Sequence, residues 1–216
     1  MKKAMTILYK VHDNLYVNLT NKCPCACTFC LRQTRDHMEA SDPLWLEHEP
    51  TLDEVIAAFQ KLDMSQYREL VFCGFGEPTE RLDLLLETAA FAKKEYQIPT
   101  RINTNGLGDL IQREKLQTST ANPAASGIAA SMKGLIDTVS ISLNTPNEEK
   151  YNALVRSKFG DSSFQAMLDF AADARNYIPN VVMTTVATTL TPEEEQKCQH
   201  ICDTLGVTYR IRAWEA

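Results

Sequence analysis

Four of the seven cysteines of this sequence lie within eight residues, at positions 23, 25, 27 and 30. Three of them, Cys23, Cys27 and Cys30, have the spacing C-x3-C-x2-C. A 4Fe–4S cluster that is held by three thiolates keeps one iron open, so it can bind a substrate or cofactor as well as pass electrons. The spacing therefore favours an iron–sulfur centre with an open iron.

Two other interpretations of these cysteines stay open. A structural zinc site needs four ligands, commonly two separated C-x2-C pairs. Cys198 and Cys202 do not form such a second pair, because they are four residues apart on one predicted helix face. A redox-sensing thiol cluster is the other interpretation. A disulfide framework is disfavoured, because the total of seven cysteines is odd and four of them are clustered. Cys25 is interpreted as a small side chain turned away from the metal, and Cys73, Cys198 and Cys202 as core residues.

Alternating β-rich and helical patterns surround the cysteines. Strands are predicted over residues 6–11, 15–20, 69–73, 100–105, 138–143, 181–187 and 208–213. The first two form a hairpin, and its second arm runs directly into the cysteines. Helices are predicted from the capping box Thr51–Glu54 onward, over 82–95 and 163–177, and from Thr191 to Gly206. Residues 107–134 are predicted to form two short helices around a loop broken at residues 119–123.

After the first arm of the hairpin come six strands, of which the first five are each followed by a helical segment, and this pattern implies parallel pairing with right-handed crossovers. An open sheet and a partial barrel both satisfy this pattern. In either fold, ligands bind at the carboxyl ends of the strands. The cysteines and three further polar or glycine-containing turns follow strands at that edge, at residues 74–78, 103–106 and 142–144. The pattern therefore predicts a site at this edge of the sheet.

The composition is typical of a globular domain. The chain has 216 residues, 44% of them hydrophobic and 23% charged, so we expect a single domain over residues 1–216. Its net charge of −6 argues against nonspecific binding to nucleic acid or to an anionic membrane. No apolar run of the sequence approaches the ~20 residues of a transmembrane helix, and residues 1–6 have no apolar leader segment behind them. These features predict a cytoplasmic protein.

Two motifs together resemble a known family. The cysteine spacing with Phe29, placed after the first parallel strand, and the turn Gly76-Glu77-Pro78, placed after the next one, are similar to the motifs of the radical S-adenosylmethionine (SAM) superfamily. More narrowly, residues 16–21 (YVNLTN), 103–106 (NTNG) and 140–144 (SISLN) resemble the group associated with TatD-type nucleases. This narrower resemblance implies a functional link to such a nuclease.

The resemblance implies a partial (β/α)6 TIM-like barrel of the radical SAM type, with an N-terminal β-hairpin. It implies that Cys23, Cys27 and Cys30 bind one 4Fe–4S cluster, and that the methionyl group of SAM chelates the fourth iron. The residues that it places around the cofactor are Phe29, Gly76, Glu77, Asn105, Ser142 and Asn144. One departure is Phe75, which stands where the family has a glycine and would bring a large side chain near the amino group of SAM.

Each of these side chains also has a purely structural interpretation. Phe29 would be a core aromatic, and Glu77 would compensate the dipole of the helix that follows it. Asn105, Ser142 and Asn144 are ordinary turn residues. The sequence leaves both interpretations open.

The last predicted strand carries two arginines on one face. Arg210 and Arg212 alternate with Tyr209 and Ile211. The arginines would bind an anionic group of the substrate if that face lines the barrel, or they would form the solvated face of an edge strand.

The activity that the resemblance implies is reductive cleavage of SAM to a 5′-deoxyadenosyl radical, which abstracts hydrogen from an unidentified substrate. The one-electron requirement implies a flavodoxin- or ferredoxin-like donor. Two other enzyme types of the superfamily are alternatives: a glycyl-radical activating enzyme and an enzyme like 7-carboxy-7-deazaguanine synthase. A noncatalytic iron–sulfur or zinc sensor is the alternative from a different class.

Overall fold

The computed structural model describes residues 3–117 and 127–213. Seven strands form one sheet in chain order. They are β1 (Leu8–Val11), β2 (Asn14–Val17), β3 (Leu70–Phe72), β4 (Thr100–Thr104), β5 (Thr138–Ser142), β6 (Asn180–Val186) and β7 (Thr208–Arg212). The first two strands pair antiparallel, and β2–β3, β3–β4, β5–β6 and β6–β7 pair parallel. The predicted hairpin followed by a parallel sheet is confirmed.

Six α-helices lie between the strands in the described ranges. They are α1 (Leu52–Phe59), α2 (Leu82–Tyr96), α3 (Gly108–Gln117), α4 (Glu148–Val155), α5 (Ser162–Ala174) and α6 (Pro192–Leu205). No helix in the described part of the chain is both long and apolar enough to cross a membrane.

The chain divides into two compact units. The first comprises the described residues up to Cys23, Phe29–Asn103 and Leu135–Asp137. The second comprises Pro24–Thr28 and the described residues from Thr104 to Gly134 and from Thr138 onward. The expectation of one domain over residues 1–216 stays a prediction.

The first unit has an apolar core on one face of its strands. Leu15 lies opposite Leu70 in the register of β2 and β3, and Val17 lies opposite Phe72, which in turn pairs with Ile102 of β4. All five of these side chains are buried. Since successive residues of a strand point to opposite faces, this row of partners makes one continuous apolar face.

Two capping boxes begin helices at the positions that the sequence predicts. The Thr51 hydroxyl accepts from the backbone N–H of Glu54, and the Glu54 carboxylate accepts from the backbone N–H of Thr51. Thr191 and Glu194 form the same reciprocal pair at the start of α6, which ends before Gly206 at φ 69°. These bonds satisfy helix-terminal groups that would otherwise have no partner within the helix.

The structure contains one α-helix that the sequence pattern does not predict, and its first two strands are shorter than predicted. Helix α4 was not expected, because the pattern of residues 144–147 indicates only a strand end. The Asn147 side chain accepts from the backbone N–H of Lys150 at 2.8 Å and caps this helix. Residues 107–134 contain α3 and a 3-10 segment, Ile128–Met132. The predicted break at residues 119–123 lies outside the described residues.

Asp137, just before β5, joins three elements of the first unit. Its carboxylate accepts from Lys93 Nζ of α2 at 2.7 Å and from the backbone N–H of Thr100, at the start of β4, at 2.8 Å. Desolvation raises the pKa of Asp137, but the hydrogen bonds from Lys93 and Thr100 outweigh it and hold the pKa below its usual value. The ionised form of Asp137 therefore stabilises the fold.

We predict that Asp137→Asn lowers the free energy of unfolding by about 1 kcal/mol at neutral pH. A carboxylate with a lowered pKa in the folded state stabilises the fold at pH values above its unfolded-state pKa of about 3.9. This stabilisation is lost only as the pH falls through the folded-state pKa. The difference between variant and wild type should therefore be constant from about pH 7 to about pH 5 in urea unfolding. The exposed Asp42→Asn variant is the control. A difference that shrinks over this range would contradict the assignment to Asp137.

Candidate functional site

The cysteine loop, residues 21–30, follows β2 and is fixed at its first residue. The Asn21 side chain donates from Nδ2 to the carbonyl of Leu46 at 2.8 Å and accepts from the Leu46 backbone N–H at 3.0 Å. The backbone N–H of Lys22 donates to the Thr20 hydroxyl at 3.0 Å. The chain segment that leads into Cys23 is therefore held by side-chain bonds in the first unit.

The glycine turn, residues 74–78, lies against this same segment. A Cβ atom on Gly76 would lie 2.3 Å from the carbonyl oxygen of Thr20 and 2.5 Å from that of Lys22. These distances leave no room for any side chain. The backbone N–H of Glu77 donates to the Lys22 carbonyl at 2.8 Å. The structure thus brings the predicted cofactor turn to the residue that precedes the first predicted cluster ligand.

Glu77 has a structural role in this turn. The side chain is buried, at 4% exposure, and its Oε1 accepts from the backbone N–H and the hydroxyl of Thr79 at 3.2 and 2.9 Å. It caps the 3-10 segment Pro78–Arg81. Glu77 therefore lies at a helix start, as its structural interpretation requires. The contact of Glu77 with SAM stays a prediction.

The two phenylalanines near the motifs have opposite environments. Phe29 is 46% exposed, which excludes the interpretation as a core aromatic. Phe75 is buried in a cluster with Tyr9, Val11 and Leu44, and its ring lies 5.3 Å from that of Trp45 in an edge-on contact. The large side chain at the position of the missing glycine is therefore accommodated by an apolar cluster.

In the second unit, the middle of the cysteine loop binds the C-terminal end of α4. The backbone N–H groups of Ala26 and Thr28 donate to the carbonyls of Val155 and Leu154 at 3.1 and 2.9 Å. The backbone N–H of Lys158 donates back to the Pro24 carbonyl at 2.9 Å. A helix leaves its last carbonyls without partners inside the helix, and the loop supplies donors for two of them.

Cys25 differs from the other three clustered cysteines in its burial. It is 4% exposed, it forms a β-bridge with Ser157, and its sulfur accepts from Asn105 Nδ2 at 3.5 Å. Cys23, Cys27 and Cys30 are all partly exposed. Burial therefore distinguishes Cys25 from the three predicted ligands, and the ligand set itself stays a prediction.

The donor set suits a cluster in its chemistry but is not gathered around one point. Thiolates are the ligands that iron–sulfur clusters take, and three partly exposed thiols are present at the expected spacing. In the described ranges, no three Cys, His, Asp or Glu side chains lie at separations suited to a metal ion.

Three polar residues that were predicted to contact the cofactor lie at the end of β5 or just after β4 and β5. The Asn105 Oδ1 atom accepts from the backbone N–H of Leu107 at 2.9 Å. Asn144 has φ 64°, and its Nδ2 donates to the carbonyl of Ser142 at 3.3 Å. These bonds are the ones expected of turn residues. The predicted contacts of Asn105, Ser142 and Asn144 with SAM stay predictions.

Two of the three remaining cysteines lie in the core as predicted, whereas Cys73, which was also predicted to be a core residue, is only partly buried. Cys198 and Cys202 are fully buried, and burial raises their pKa values to about 11 and about 12. Both are therefore protonated near neutral pH, whereas metal ligation requires a thiolate. Arg210 and Arg212 are exposed on β7, the last strand of the sheet. Their exposure favours the solvated face over a buried anion site.

Sequence reasoning did not detect Glu49. Desolvation raises its pKa, but the hydrogen bonds from Thr20 and Lys22 and the charge of Arg81 hold the pKa below its usual value. Glu49 lies in the irregular stretch between the cysteine loop and α1, where no periodicity or motif marks a residue. Only the folded structure reveals its partners.

Comparison with known protein families identifies one family for this chain. The profile of the Radical SAM superfamily matches residues 17–205. GTP 3′,8-cyclase of Corynebacterium glutamicum is 32% identical over 157 residues, which are 68% of this chain and 35% of the cyclase. The chain thus spans about a third of the length of the curated relatives that it matches.

Solved structures show the same fold. Streptococcus suis SuiB bound to the precursor peptide SuiA has a TM-score of 0.64 at 16% identity, over 93% of this chain and 39% of SuiB. A second SuiB structure, bound to S-adenosylmethionine, has a TM-score of 0.60 at 17% identity, over 93% of this chain and 38% of SuiB. Methylornithine synthase has a TM-score of 0.56 at 14% identity, over 93% of this chain and 52% of the synthase. These likenesses confirm the predicted fold class.

Single cysteine variants test the ligand set. We predict that alanine at Cys23, Cys27 or Cys30 abolishes iron binding after anaerobic reconstitution, because each removes one of three thiolates. Cys25→Ala should keep the iron content of the wild type, since its sulfur is buried beside Asn105. Iron and sulfide analysis measures the outcome. Equal iron loss in all four variants would refute the C-x3-C-x2-C ligand set.

Proposed function

Because the chain belongs to the radical SAM superfamily, whose enzymes use a 4Fe–4S cluster and S-adenosylmethionine, we propose that it cleaves SAM reductively. When bound, these cofactors supply one-electron cleavage to methionine and a 5′-deoxyadenosyl radical that removes hydrogen from the substrate. The chain's own residues bind the cofactors, orient them and exclude water. The observation that carries the proposal is the glycine turn bonded to Lys22, directly before the first cysteine of the motif.

The residues have separate tasks in this proposal. Cys23, Cys27 and Cys30 would hold the 4Fe–4S cluster, which would keep one iron open for SAM. Gly76 lets the turn approach the loop backbone, and Glu77 offsets the charge of the methionyl ammonium. Phe29, exposed beside Cys30, packs on the adenine.

Three residues of the second unit are also proposed to contact SAM. Asn105, Ser142 and Asn144 bind the ribose hydroxyls or the methionyl carboxylate. Each of them is at or just beyond the carboxyl end of a strand, where ligands of parallel α/β folds bind.

The finer assignment is also a proposal. The motifs at residues 16–21, 103–106 and 140–144 support the group associated with TatD-type nucleases, and with it a functional link to such a nuclease. We assign the chain only the step that it shares with its relatives, SAM cleavage, because it spans about a third of GTP 3′,8-cyclase. A flavodoxin- or ferredoxin-like protein of the cytoplasm would supply the electron.

Formation of 5′-deoxyadenosine tests the function. Anaerobically reconstituted protein, given dithionite and SAM, should release 5′-deoxyadenosine and methionine, measured by liquid chromatography and mass spectrometry. Cys23→Ala should release neither product, and Cys25→Ala is the matched control that retains both. A wild-type protein that carries a full cluster and releases no 5′-deoxyadenosine would be a noncatalytic iron–sulfur protein, and the proposal would be wrong.

Replacement of Glu77 tests its contact with SAM. Glu77→Gln keeps the Oε1 atom that accepts from Thr79, so the cap survives while the negative charge is lost. We expect the dissociation constant for SAM to rise about tenfold at unchanged iron content. A charge-assisted hydrogen bond is stronger than a neutral one, and the difference in free energy corresponds to about a tenfold change in affinity. Equilibrium binding to the reconstituted protein is the measurement. Glu87→Gln, on the exposed side of α2, is the control, and equal affinities of the two variants would leave Glu77 with its capping role alone.

A further inference from the structure

The Glu49 carboxylate contacts both the segment before the cysteine loop and the segment after the glycine turn. Its Oε1 accepts from the Thr20 hydroxyl at 2.8 Å and lies 3.2 Å from Lys22 Nζ. Its Oε2 accepts from Arg81 Nη1 at 3.4 Å. All of these residues belong to the first unit. One side chain therefore connects the exit of β2 with the residues that follow β3.

The partners of Glu49 are themselves fixed to the backbone. The Thr20 hydroxyl accepts from the Lys22 backbone N–H at 3.0 Å while it donates to Glu49. Arg81 donates from Nη2 to the Pro50 carbonyl at 3.1 Å, next to Glu49 in sequence. The carboxylate thus closes a network that includes main-chain groups on both sides.

The three contacts of Glu49 differ in how strongly they hold the two segments together. The Glu49 and Arg81 side chains are 31% and 26% exposed, whereas that of Lys22 is 69% exposed. An ion pair with a largely solvated lysine contributes little. The hydrogen bond from Thr20 and the contact with Arg81 therefore carry most of the interaction.

Two of these residues, Thr20 and Lys22, also make the close approach at the glycine turn. Thr20 and Lys22 supply the two carbonyl oxygens that would lie within 2.5 Å of a Gly76 Cβ atom. The Lys22 carbonyl also accepts from Glu77 N–H. A shift of Thr20–Lys22 would therefore move the chain before Cys23 away from the turn.

We propose that Glu49 is a positioning residue, which holds the segment Thr20–Lys22 on the glycine turn and so fixes the start of the cluster-binding loop relative to the turn that binds SAM. This inference rests on the proposed function, since it assigns the loop and the turn to the two cofactors. Glu49 touches neither cofactor. It acts through the backbone of Thr20 and Lys22.

The test compares Glu49→Gln with Glu47→Gln in the full chain after anaerobic reconstitution. Glutamine has the same size and still accepts from Thr20, but it loses the charge that holds Arg81. Glu47 is exposed and two residues away, which makes it a matched control. We expect Glu49→Gln to keep the iron content and melting temperature of the control while its dissociation constant for SAM rises about tenfold. The SAM-induced change in the electron paramagnetic resonance spectrum of the reduced cluster should require correspondingly more SAM.

A second variant separates positioning from folding. Arg81→Met should weaken SAM binding in the same direction, and Glu49→Gln combined with Arg81→Met should be no weaker than the more affected single variant, because both act through one contact. Equal SAM affinity in Glu49→Gln and Glu47→Gln would overturn the proposal, as would an affinity loss that is matched by loss of iron and of thermal stability. A wild-type protein with a full cluster that forms no 5′-deoxyadenosine would instead refute the proposed function.

Discussion

The first unit depends on a backbone approach that only glycine permits. At Gly76, the chain passes so close to the carbonyl oxygens of Thr20 and Lys22 that the smallest side chain would overlap them. Because of this approach, the backbone N–H of Glu77 can donate to the Lys22 carbonyl. The Glu77 side chain can also accept from Thr79 at the start of the 3-10 segment. The phenylalanine before the glycine then faces an apolar cluster instead of the turn. The geometry of the candidate site in this unit follows from that contact.

Polar residues of the candidate site combine structural bonds with the proposed chemistry. Glu77 caps a short helix through Oε1, and Asn105 uses Oδ1 in its own turn and Nδ2 on the Cys25 sulfur. Such bonds fix the side chain in one orientation, which lowers the entropy that a ligand must remove when it binds. A structural role and a binding role are therefore compatible in one residue. The helix-start and turn interpretations do not argue against the predicted contacts with SAM.

The sequence predicts those parts of the fold that local pattern controls. The hairpin, the buried strand at 70–72, the capping boxes at Thr51 and Thr191 and the end of α6 at Gly206 all follow from residue types a few positions apart. The stretch between the cysteine loop and α1 could not be predicted in this way. Asn18 and Asn21 bind the backbone of Leu44 and Leu46, and these bonds join residues about 25 positions apart. Glu49 could not be found by a motif search for the same reason, because its partners Thr20 and Arg81 are 29 and 32 residues away in sequence.

The contact between the cysteine loop and α4 has a consequence for how the loop would bind a ligand. Backbone donors of Ala26 and Thr28 are engaged with the carbonyls of Val155 and Leu154. A flexible loop would lose about 1–2 kcal/mol of backbone entropy for each residue that metal binding orders. Here the helix end already orders the middle of the loop, so the proposed cluster would have fewer backbone residues to order. Helix α4 thus lowers the entropy that the loop would lose when the proposed cluster binds.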